Sequence, residues 1–167
     1  GHLISRKTRG AIKTGRILLL LHTLLAVLTY FSPPLAPQDA QTVQNLYGGV
    51  NFMVILHLII VFSLRKTIYL SRRTVPDGTG LPEVLERWNR LDTRFLSSTA
   101  LIPLAASAAH CLGLGWAQLW HLFLTALLFT LMLMPMGIKV RSRLGMLRRL
   151  HPDLSVPEDG PPAEGHA

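Results

Sequence analysis

Four stretches of the chain are apolar for long enough to enter a bilayer, and polar segments rich in Lys and Arg alternate with them. They run over about 17–33, 48–64, 96–115 and 116–136, close to the roughly 20 residues that cross a hydrocarbon core as a helix. The first closes at "SPPLAP", where Pro33 and Pro34 remove two amide donors. Only "GLGW" separates the third from the fourth, which predicts a tight antiparallel hairpin. The pattern predicts an all-α integral membrane four-helix bundle, with four transmembrane spans in two hairpins. Pro103 and the "PMG" of 135–137 are expected to kink or end their helices.

The connection 65–95 is long for a bundle. In it "VPDGTG" reads as a flexible turn and "LPEVLERWNRLDTRFL" as a helix, with Pro82 early and Val84, Leu85, Trp88, Leu91 and Phe95 on one face. This amphipathic inner-surface helix is expected to lie on the membrane or to run directly into the third span. Residues 137–150 read as a basic amphipathic extension, and 151–167, rich in Pro, Gly and acids, as a disordered tail.

Composition agrees with a membrane protein. Of 167 residues 49% are hydrophobic and only 16% charged, with a mean hydropathy of +0.35, whereas a soluble domain carries nearer a quarter charged residues. One domain is expected at this length. The formal charge of +8 lies in blocks beside the apolar segments, which marks topology and argues against nucleic acid as a partner. Arg6, Lys7, Arg9, Lys13 and Arg16 precede the first span; Arg65, Lys66, Arg72 and Arg73 follow the second; Lys139, Arg141, Arg143, Arg148 and Arg149 follow the fourth. The segment 32–47 has no basic residue. The expected topology puts residues 1–16 and both termini on the cytoplasmic side of a bacterial-type inner (plasma) membrane, around a membrane domain over 17–136. Tyr30, Tyr47, Trp116 and Trp120 then cluster at the outer interface.

No cleavable signal peptide is expected, because "SPPLAP" lacks a small-x-small site and three further apolar segments follow. The single Cys111 excludes an internal disulfide framework. The chain carries no Gly-rich phosphate loop, no paired acids within a span and no nucleophile elbow. Expected partners are the lipid bilayer and either partner membrane subunits or a second copy of the chain.

Each span contains one histidine: His22, His57, His110 and His121. At 1.5 Å per residue the expected topology places His22 and His57 roughly 8 to 11 Å inside the inner boundary, and His110 with His121 at similar depth from the outer one. Two imidazoles at one depth supply the axial ligands that haem b requires, and two such layers would carry electrons across the bilayer. The leading expectation is therefore a small b-type cytochrome or a haem-bearing subunit of an electron-transfer complex. The alternative is a non-catalytic membrane subunit or small transporter, in which each histidine only bonds a neighbouring helix. A third reading is copper handling by His110, Cys111 and His121. Met132, Met134 and Met136 read as gap-filling residues, Gly48 and Gly49 as a place of close helix approach, and Asp92 with Arg90 and Arg94 as a solvated cluster of little stabilising value.

Overall fold

The computed structural model describes residues 2–34, 39–71, 75, 76 and 78–152, with side chains from residue 6 onward. Arg72, Arg73, much of "SPPLAP" and the tail from 153 lie outside the described residues. All regular structure among the described residues is helical: α1 (His2–Phe31), α2 (Ala40–Ile68), α3 (Leu81–Ser98), α4 (Leu101–Cys111), α5 (Trp116–Leu133) and α6 (Gly137–Leu150). Three of these, α1 over Arg6–Phe31, α2 and α5, are long and apolar enough to cross a membrane.

The third apolar segment, 96–115, does not form one such helix. Pro103 has no N–H to offer the carbonyl of Thr99, and Thr99 instead accepts from Ile102, one residue earlier, at 3.2 Å. The rod from Leu81 to Cys111 therefore tightens at Thr99 and Ala100 and divides into α3 and α4. At its far end the N–H of Leu114 bonds Ala109 O and that of Gly113 bonds His110 O, the crossed pair of a Schellman motif. The motif requires a left-handed residue, and Gly113 has φ +114°. This closes the expected hairpin of α4 with α5. Pro135 then ends α5, after Met134 turns to an extended ψ of 131°.

α1 is longer than its apolar span: the basic residues before it belong to the same helix, which at 1.5 Å per residue is about 45 Å long. Its basic half lies along α3, where Asn89 Oδ1 accepts from Ala11 N–H at 2.9 Å and Lys7 meets Glu86 at 3.3 Å. Its apolar half packs on α4 and α5. α2 packs on α4 and α5 from a different face and makes no comparable contact with α1. The expected hairpin pairing of the first two spans is thus not made: each leans separately on the central α4–α5 hairpin.

Two apolar cores result. One fills the bundle with Leu18, Val54, Ile102, Ala106, Leu122, Phe123 and Phe129. The other lies at the basic end, where Leu81, Val84, Leu85 and Trp88 of α3 meet Val140, Leu144 and Leu147 of α6, with Tyr69 and Val75. The apolar face of α3, expected to lie on the membrane or to run directly into the third span, packs in this core with α6, Tyr69 and Val75, and α3 runs through the turn at Thr99 and Ala100 into α4.

Candidate functional site

Each of the histidines at 22, 57, 110 and 121 lies where two segments meet. His22 is fully buried, with Nε2 3.1 Å from Thr99 Oγ1 and 3.0 Å from Thr130 Oγ1. The Thr99 hydroxyl gives its proton to Leu96 O at 2.7 Å. The Thr130 hydroxyl has Ala126 O at 2.8 Å and Thr99 Oγ1 at 3.0 Å as acceptors. With both hydroxyl protons committed, Nε2 carries the hydrogen and donates to the pair of oxygens. That leaves Nδ1 as a bare acceptor, buried without a partner among the described residues.

His57 reaches the same level of the core from α2. Its Nε2 lies 3.5 Å from Ser98 Oγ and its ring stands edge-on to Phe129, next to the Thr99 and Thr130 that hold His22. The two rings share a layer, as the depth estimate requires, but they bond neighbouring residues on different faces of the core. His57 also lines an apolar cleft of about 230 Å³ between α2 and α4, with Met53, Leu101 and Ala105.

At the other end His110 Nδ1 lies 2.7 Å from Leu114 O, the carbonyl that the Schellman motif folds back over the ring, and Nε2 lies 2.8 Å from Ser32 O beyond α1. A neutral ring donates to one of these carbonyls and a protonated ring to both. His121 Nε2 donates to Asn51 Oδ1 of α2 at 2.9 Å. Asn51 is oriented for this by giving its amide hydrogen to Tyr47 O at 2.8 Å. Tyr30 meets Trp116, and Tyr47 and Trp120 flank His121, so the expected aromatic cluster forms at this end.

Axial ligation of a haem, or ligation of copper, requires free ring nitrogens aimed at a common gap. Here every Nε2 faces a protein oxygen. Cys111 is exposed beside His110.

The structure brings together a second polar centre at the basic end. Asp92, expected to be solvated, is only 2% exposed. Tyr69 donates to its Oδ1, Arg143 donates to Oδ2 at 3.1 Å and Oδ1 at 3.3 Å, and Arg65 approaches Oδ1 at 3.9 Å. Arg143 also stacks over the Tyr69 ring at 4.1 Å, and Trp88 Nε1 donates to Tyr69 O at 3.1 Å. Burial, and then the Asp92 carboxylate, hold the Tyr69 phenol well above the usual tyrosine range. Arg90, by contrast, remains exposed as expected. The signal missed in the sequence was spacing on α3: Asp92 lies four residues after Trp88 and so shares its buried stripe, whereas Arg90 does not.

Arg65 and Lys139 also cap the end of α5: Lys139 Nζ donates to Met132 O at 2.7 Å and Arg65 to Leu133 O at 3.3 Å. Met134 seats against Gly15 of α1, within 2.7 Å of where a Cβ would stand, and so fills a gap as expected. Among the described residues nothing approaches Gly48 or Gly49 within 4 Å of an added Cβ, so the close helix contact expected there is not made by them. Comparison with family models, with curated proteins and with solved structures returned no match.

Proposed function

We propose that this chain is a non-catalytic, multi-pass membrane subunit whose intramembrane histidines hold its helices in register. One observation carries the reading: each histidine bonds a segment other than its own. His22 ties α1 to the core at Thr99 and Thr130, His57 and His121 tie α2 to it, and His110 reaches the end of α1. Because α1 and α2 do not pack on each other, these bonds help to fix where each outer helix sits on the hairpin. Much of the apolar surface of α2 is left for lipid or for a partner, since only 11% of its apolar window is buried.

In this reading the tightened α3–α4 rod supplies the third span, and the basic blocks keep both termini on the cytoplasmic side of an inner membrane. The α3–α6 pair forms a small cap on that side. Haem b at His22 with His57 and at His110 with His121, and copper at His110, Cys111 and His121, require the present hydrogen bonds to be exchanged for metal bonds.

A reduced-minus-oxidised visible spectrum with a pyridine haemochrome assay separates these readings, using detergent-purified protein from cells supplied with haem. The expected result is a flat spectrum from folded protein, with His121→Ala lowering thermal stability by about 1 kcal/mol. Haem b at one or two per chain would overturn the proposal.

A further inference from the structure

Beside the Asp92 centre a groove of about 820 Å³ opens between the end of α2 and the start of α6. Arg65, Lys66, Lys139 and Arg143 line it. Among the described residues the one carboxylate in contact with these cations is Asp92, which lies beneath the groove and is already held by Tyr69 and Arg143. Four cations less one carboxylate leave three positive charges in one opening. The crowding registers on Lys139, whose ammonium is pushed below its usual range by burial and then by Arg65 and Arg143.

The other walls are apolar. Phe62, Ile138 and Met146 line the groove and are well exposed, Ile138 at 84%. The groove also sits at a defined level of the molecule, where the apolar run of α2 ends at Leu64 and Arg65 begins. On a helix that crosses a bilayer, this is the level of the lipid phosphates. Cations above exposed apolar side chains match a ligand with an anionic head and a hydrocarbon tail.

We infer that this groove binds the phosphate headgroup of an anionic phospholipid, with Lys66, Lys139 and Ser142 as donors and an acyl chain along Phe62, Ile138 and Met146. The inference rests on the reading of the basic end as a membrane surface, but not on the role given to the histidines. Arg143 is excluded from the test because Asp92 needs it.

The experiment is native mass spectrometry of the detergent-purified chain, titrated with phosphatidylglycerol or with phosphatidylcholine of the same acyl chains. Micelles impose no insertion direction, so the outcome is independent of topology and of the haem spectrum. The expected result is a saturable phosphatidylglycerol adduct that phosphatidylcholine does not give. The double variant Lys66→Gln/Lys139→Gln keeps a donor for Met132 O and should weaken the adduct roughly tenfold to thirtyfold, at about 1 kcal/mol per basic residue. Should the double variant fail to fold, Lys66→Gln alone, at an exposed position, is expected to cost about fivefold. Arg9→Gln/Lys13→Gln removes two exposed charges of α1 outside the groove and should leave the adduct unchanged. Equal binding of the two lipids, or an equal loss in the α1 control, would overturn the site. Inorganic phosphate competing as well as a short-chain phosphatidylglycerol would reassign it to a soluble anion and overturn the lipid.

Discussion

His22 in the bundle and Asp92 at the basic end are almost equally buried, yet their surroundings are built on different terms. His22 is neutral and donates one hydrogen to two hydroxyls, each of which already has a carbonyl of its own helix as a second partner. Asp92 is charged and takes a phenol and two guanidiniums. Removing the histidine leaves its neighbours satisfied, whereas removing the carboxylate leaves two partly buried guanidiniums facing one another without their counter-charge. Equal burial therefore does not mean equal cost: what matters is what the partners do once the group is gone.

The largest effect is expected at Asp92. Asp92→Ala should destabilise the basic end by about 3–5 kcal/mol, the usual cost of breaking a buried ion pair from one side. Hydrogen exchange should localise the loss to α6 and to the 69–71 segment, and Asp92→Leu with Arg143→Met should recover part of it, because the one guanidinium left without the carboxylate, Arg65, still donates to Leu133 O. A melting curve for Asp92→Ala that matches the parent would return the cluster to the solvated role expected from sequence.

A smaller effect tests whether α1 couples the two regions. Gly15 lies between the α3 contact at Ala11 and the buried His22, and a Cβ there would stand 2.7 Å from Met134 Cγ. Gly15→Val should cost about 1–3 kcal/mol through overpacking. Met134→Ala in the same chain should relieve it. If Gly15→Val is silent, α1 is not seated on the end of α5 as described.

At His22 the comparison predicts a modest loss. His22→Ala should cost about 1 kcal/mol as an inter-helix hydrogen bond, with a further share from the cavity it leaves. His22→Phe removes the unpartnered Nδ1 while keeping most of the ring volume, and should melt close to the parent. A loss at His22→Phe as large as that at Asp92→Ala would mean that the imidazole does more than bond Thr99 and Thr130.

The helices themselves were legible because apolar length and proline position are local signals: α5 ends before Pro135 and α6 covers 137–150 as the pattern requires. The shared depth of His22 and His57 was legible too, since rise per residue carries over directly to height in a bundle. Lateral arrangement was not legible. Sequence adjacency suggested that α1 packs on α2, but the small residues Ala106 and Ala109 of α4 are fully buried in the hairpin that both helices lean on. Which histidine faces which helix depends on that choice, so height along the spans alone left the bonding partner of each ring open. Asp92 was misread for a related reason. A carboxylate between two arginines suggests solvent until the stripe through Trp88 is known to be covered by α6 rather than by lipid.

Tyr69 gives the subtlest test, because its effect is confined to high pH. In the fold, burial and Asp92 keep the phenol protonated beyond its usual range, so the folded state holds this proton where an unfolded chain has released it, above about pH 10. The stability contributed by the Tyr69 to Asp92 bond is fully present below that pH and is lost as pH rises from there through the folded value. The tyrosinate absorbance assigned to Tyr69, taken as parent minus Tyr69→Phe, should therefore lag behind that of the denatured chain, and the parent should lose melting temperature in alkali faster than the variant. If that absorbance rises together with the denatured chain, Tyr69 is open to water and Asp92 is held by its arginines alone. The basic end would then resemble an ordinary surface cluster more than the closed centre drawn here, and the contrast with His22 would narrow to the ion pair itself.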